Sequence, residues 1–117
     1  MSVFQGVYSP EIANSAFRST AERATETLNE FADPYDPFPI FAEWDLTRKG
    51  NGPALQLRLK KDQDEVTAVF QISDLIGDKG WTEMNHAYGR LLDVRIRRSL
   101  AAMSQWDNSN LGTAEDD

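Results

Sequence analysis

The sequence has no cysteine among its 117 residues, which excludes disulfides, thiolate nucleophiles and thiolate zinc sites. It has a single histidine, His86, too few for a multi-histidine metal site, and that histidine falls off the apolar stripe of its segment, where a rim position is expected rather than a catalytic base. No apolar run approaches the roughly 18 residues of a membrane span. "MSVFQGVYSP" lacks the basic start and apolar centre of a secretory signal, so a cytoplasmic location is expected. The acidic stretch "DQDE" (Asp62–Glu65) lacks the spacing of a calcium loop. Gly50 and Gly52 in "GNG" do not stand between a strand and a helix, as a phosphate-cradling loop requires. The expectation is a non-enzymatic chain without metal or cofactor.

The charge that is present is unevenly distributed. The net charge is −7. Residues 1–45 hold two arginines against eight acidic residues, residues 46–103 hold ten basic against seven acidic, and residues 104–117 hold four acidic and no basic. Within the middle block, "RKGNGPALQLRLKK" (48–61) carries Arg48, Lys49, Arg58, Lys60 and Lys61 with no carboxylate. A basic block in an acidic chain is one mark of a phosphate-facing surface beside a solubilising tail.

Local patterns give the elements. Ser9 followed by Pro10 and Glu11 is a helix start, with a capping hydroxyl, a proline where its missing N–H costs nothing, and a carboxylate at the positive end of the dipole. Ala13, Phe17, Ala21, Ala24, Leu28 and Phe31 then recur at three and four, predicting one helix to about Phe31. Three prolines within 34–39 force an extended crossover. Period-two alternation follows in Ile40/Ala42/Trp44/Leu46, Leu55/Leu57/Leu59 and Val66/Ala68/Phe70/Ile72, each a half-buried strand. The connections are too short for parallel crossovers, so these strands form an antiparallel meander. Met84, Tyr88, Leu91, Leu92, Ile96, Leu100 and Met103 predict a second long helix. The expected fold is α+β in the order α-β-β-β-α, a three-stranded antiparallel sheet with both helices on one face. It forms one domain over residues 1–106, with an acidic, disordered tail at 107–117. Trp44, Phe70, Trp81, Phe17 and Tyr88 are expected in the packing, leaving Phe41 and Tyr35 as candidates for exposed stacking.

"TLNEF" closing the first helix, "PIFAEWDL", the "GNGP" turn before alternating leucines and "GDKG" opening the last helix together resemble the double-stranded RNA-binding domain, over about residues 27 to 92. That family reads duplex shape across two minor grooves and the phosphates between them. The resemblance implies that Glu30 reaches a minor groove, that the Gly52–Pro53 turn contacts the next, and that Lys79 meets phosphate at the start of the last helix. The pattern departs from the family at Leu55, which stands where a histidine belongs, and at Gly80 and Glu83, which stand where two lysines belong. Arg48 and Lys49 in the same loop, and Arg90 and Arg97 two turns apart on the last helix, are the candidate compensating cations.

The expected function is therefore a non-catalytic module binding duplex RNA or DNA through phosphate and shape contacts, by way of Glu30, Arg48, Lys49, Gly52, Pro53, Lys79, Arg90 and Arg97. The alternative is a protein-interaction or homodimerisation domain on the same scaffold. The two readings differ in what they require of the surface: nucleic-acid binding needs Lys49, Lys79 and Arg90 on one face, and interaction needs contiguous exposed apolar area.

Overall fold

The computed structural model describes residues 3–30, 32 and 39–116, with side chains through residue 104. In chain order the elements are strand β1 (Phe4–Tyr8), the one-turn helix α1 (Pro10–Ala13), helix α2 (Arg18–Glu30), strands β2 (Ile40–Lys49), β3 (Gly52–Lys61) and β4 (Asp64–Gln71), a 3-10 turn (Ile72–Leu75) and helix α3 (Asp78–Asp116). The sheet is four-stranded and mixed, in the order β1-β2-β3-β4. This corrects the expected three-stranded antiparallel sheet and the α-β-β-β-α order. β1 pairs parallel to β2, with Phe4 opposite Ile40 and Tyr8 opposite Trp44, because the helical crossover between them returns the chain to the end at which it started. β1 carries no alternating signal: Phe4 is its sole buried residue, Gly6 interrupts the run, and Val7 is exposed.

The predicted first helix is broken in two. Ser9 caps α1 as expected, its Oγ accepting from Ile12 N at 3.3 Å. Ser15 then ends the turn, donating to Ile12 O at 2.8 Å and accepting from Phe17 N at 3.1 Å. Such local side-chain bonds compete with continuation of a helix. Phe31, the expected last residue of that helix, and Tyr35 lie outside the described residues.

The meander is as expected. Gly50 and Asn51 connect β2 to β3 between the paired Lys49 and Gly52, with Gly50 at φ 67, a left-handed conformation at the first turn position that only glycine adopts without strain. Successive rungs Ala42/Leu59/Val66, Trp44/Leu57/Ala68 and Leu46/Leu55/Phe70 point to one face. There they join Ala21, Ala24 and Leu28 of α2 and Met84, Ala87, Tyr88 and Leu91 of α3 in a single core. Phe4 meets Tyr88 edge-to-face at 5.2 Å between ring centroids, tying β1 to α3.

Two polar inserts fix the layers. Thr25, buried in α2, accepts from Trp44 Nε1 at 2.9 Å and Tyr8 Oη at 3.4 Å while donating to Ala21 O at 2.9 Å, so the indole N–H is satisfied inside the core. Asn29 accepts from Phe4 N at 2.8 Å and donates to Phe4 O at 3.2 Å. Its amide covers the outer edge of β1 as a neighbouring strand would.

α3 has 39 residues, about 58 Å of helix, and the molecule measures 66 × 34 × 27 Å. Arg98 reaches Asp64 at the start of β4, so the helix beyond it overhangs the sheet. The backbone of α3 includes residues 107–116 of the segment 107–117 read from sequence as a tail.

Candidate functional site

The hairpin turn at Gly50–Asn51 and the start of α3 occupy one end of the sheet, since β4 ends opposite Ala54 and leads through the 3-10 turn to Asp78. Arg48, Gly52 and Pro53 line an open cleft of about 470 Å³ at this end, together with Glu11 and Asn51. Lys79 stands exposed at the start of α3. Arg48, Lys49 and Lys79 make no ion pair among the described residues. Neighbouring residues on a strand point to opposite faces, so Arg48 lies on the helix side of β2 and Lys49 on the open side.

The other expected contacts are elsewhere. Glu30 ends α2 next to Asn29, which is bonded to Phe4 opposite Ile40. That is the far end of β2 from Lys49, about 30 Å along the strand. Arg90 faces β4 across a groove of about 330 Å³ that also contains Glu83 and the exposed His86. Arg97 is held by Asp93 at 3.0 Å on the exposed surface of α3. The structure thus gathers Arg48, Lys49, Gly52, Pro53 and Lys79 at one end and leaves Glu30, Arg90 and Arg97 apart from them.

Gly80, which stands where the resemblance calls for a lysine, is buried where α3 crosses the 3-10 turn. A Cβ there would lie 2.5 Å from Leu75 O. This close approach of backbone to backbone leaves no room for a side chain, so the missing lysine is a consequence of how α3 is anchored.

The open face of the sheet is internally neutralised. Glu43 pairs with Arg58 at 3.6 Å and Lys60 at 3.9 Å. Arg58 Nε lies 2.9 Å from Glu65 Oε1, close enough for an ion pair but outside hydrogen-bond geometry. Three of the five cations in the stretch 48–61 project on neither the hairpin nor a common surface: Arg58 and Lys60 sit in this lattice, and Lys61 is buried on the helix side. Lys61 follows Leu55, Leu57 and Leu59 in phase, so its inward direction was legible in the period of two. Asp64, its partner in the strand register, is buried likewise and accepts from Arg98 at 2.5 Å. Among the described residues no cluster of three His, Cys, Asp or Glu residues could hold a metal, and no helix is long and apolar enough to cross a membrane.

The feature that sequence reading misplaced is the apolar stripe of α3. Each step of four residues turns about 40° beyond a full turn. The ladder Met84, Tyr88, Leu92, Ile96, Leu100 therefore rotates out of the core, by about 160° over its four steps. Exposure rises along it in the same order: Met84 0%, Tyr88 7%, Leu92 partly buried, Ile96 58%, Leu100 59%. Met103 is 62% exposed on the same flank. At the inward positions, where the sheet runs out, the helix changes to Arg95 and Arg98. Leu92, Ile96 and Leu100 instead line a shallow apolar cleft of about 330 Å³ with Arg95 and Ser99. Phe41 and Val7 are exposed on the open face, and Trp81, expected in the packing, is half exposed. Compared with protein-family models, with curated proteins and with solved structures, the chain matches none.

Proposed function

We propose that this chain is a non-catalytic protein-interaction module that docks a helix against the overhanging flank of α3. The observation that carries this reading is the run Ile96, Leu100 and Met103, contiguous and more than half exposed on the helix whose Met84, Ala87, Tyr88 and Leu91 are buried. Single exposed apolar residues are ordinary, but a connected exposed set, here uncovered among the described residues, is the mark of a contact surface. Ile96 and Leu100 line the shallow cleft with Leu92, so the partner helix carries an apolar stripe.

The test is the double variant Ile96→Ser, Leu100→Ser, compared with Leu91→Ala in dilute urea titrations. A docking flank predicts a wild-type unfolding midpoint for the double variant and a lowered one for Leu91→Ala. Equal destabilisation would assign the flank to the monomer's own core and remove the proposal.

A second reading, nucleic-acid binding on the pattern of the double-stranded RNA-binding domain, is favoured by one observation: three cations without an ion pair among the described residues, Arg48, Lys49 and Lys79, at the hairpin end. Against it stand the displacement of Glu30, the bare Gly80 and the opposite directions of Arg48 and Lys49. Polarisation titration with duplex RNA at two salt concentrations decides it: phosphate contacts predict an affinity that falls with salt, and no binding at the lower salt eliminates this reading.

A further inference from the structure

We infer that the outer edge of β4 takes up an extended segment of another protein as an added strand, with an acidic side chain of that segment against Arg90. This site is separate from the flank of α3. The two edges of the sheet are finished differently. At β1 the Asn29 amide occupies the N–H and C=O of Phe4. β4 pairs with β3 alone. Asp62 and Gln63 form a two-residue turn between the paired Lys61 and Asp64, and the pair that closes such a turn exchanges both ladder bonds. Alternation then directs the N–H and C=O of Glu65, Thr67, Val69 and Gln71 away from β3. Gln71 agrees, its N–H donating to Asp74 Oδ2 at 3.2 Å. The outward backbone groups of Glu65, Thr67 and Val69 have no hydrogen-bond partner among the described residues. The strand also carries neither a proline nor a bulge, two of the devices that blunt an exposed edge.

The groove beside this edge sets what the added strand must carry. Thr67, Ala68, Val69 and Phe70 all line it. Consecutive strand residues alternate in face, so a groove that touches all four runs along the edge itself. Its other wall is α3, through Glu83, Ala87 and Arg90, whose spacing of four and three puts them on one side of the helix. An extended segment bonded to Thr67 and Val69 places alternate side chains in the groove and the others on the open face of the sheet. Arg90 is exposed and has no ion pair among the described residues, so a carboxylate on the helix side of the segment meets it. Glu83 stands two turns away, about 10 Å, and the segment carries no acidic residue at that end. A second copy does not meet these terms. The helix-side residues of β4 along the groove are Val66, Ala68 and Phe70, and Asp64 in phase with them is already held by Arg98, so its edge brings no carboxylate to Arg90.

The probe is a short, end-blocked peptide of alternating threonine and valine with one valine replaced by glutamate, beside its counterpart with lysine at that position, each titrated into the isotope-labelled full chain and followed by amide NMR. The expected result is saturable shifts at Thr67 and Val69, slowed exchange of those two N–H groups, and a glutamate peptide that binds about fivefold tighter than the lysine one. Arg90→Gln removes that preference while its circular dichroism stays that of the wild type. Thr67→Pro deletes an outward N–H that the ladder does not use and abolishes binding by a folded chain. A form of the glutamate peptide methylated at every backbone nitrogen is expected not to bind, which keeps the test independent of how that variant folds. No saturable binding of the unmethylated peptides, or equal binding of the methylated one, overturns edge addition. Equal affinity for the glutamate and lysine peptides overturns Arg90 as the contact. Self-association that protects Thr67 and Val69 without peptide overturns another protein as the occupant.

Discussion

The first half of α3, Met84 to Leu91, and the part that follows it are built from similar residues and differ in what lies beneath them. Under the first half are β4, α2 and the Phe4 ring, and every apolar side chain of Met84, Ala87, Tyr88 and Leu91 is buried. Beyond Leu91 the inward positions become Arg95 and Arg98; Leu92 and Val94 still pack in part against the core, and Ile96 and Leu100 have turned onto an exposed flank. The difference shows that an apolar stripe has meaning only relative to the surface that it faces. In the first half it closes a core, and in the second it offers one.

The largest expected effect separates the two halves by stability. Leu91→Ala, at a position with no exposed surface, should cost about 2–5 kcal/mol in urea unfolding. Leu100→Ala at high dilution should stay within about 0.5 kcal/mol, as exposed substitutions do. Similar costs for both would erase the distinction. Next in size is Gly80→Ala, which presses a methyl group against Leu75 O. Moving backbone to relieve the contact should cost about 1–3 kcal/mol and loosen the start of α3; wild-type stability in urea unfolding would show that the contact is relieved at no cost. Smaller is Thr25→Val, which leaves the Trp44 indole N–H buried without its acceptor. A loss of roughly 1–2 kcal/mol, accompanied by a shift in Trp44 fluorescence, is expected; a variant as stable as the wild type would show that this bond adds nothing to the packing.

Much of this architecture is legible in the residues, and the exceptions have physical causes. The three-strand meander follows from strict alternation in Ile40–Leu46, Leu55–Leu59 and Val66–Phe70 and from turns too short to do anything but reverse the chain. β1 was not legible, because five residues with one buried side chain and a central glycine carry no period, and its place is set by pairing with Ile40–Trp44 and by the Asn29 amide. The break between α1 and α2 was hidden in Ser15, whose two short-range bonds outweigh the helical spacing of Ala13 and Phe17. Among the site residues, the hairpin group Arg48, Lys49, Gly52 and Pro53 could be placed from sequence. Glu30 could not, since its distance from them depends on the direction of the crossover. The flank of α3 was misread for a geometric reason: spacing in fours looks like a single face, and over five residues of ladder the accumulated rotation turns inside to outside.

Amide hydrogen exchange along α3, recorded in dilute protein, bears most directly on the division of this helix. The account predicts strong protection over residues 84–91, which pack on the sheet, and weak protection over 94–104, which carry the exposed flank. Protection over 94–104 as strong as that over 84–91 would contradict it.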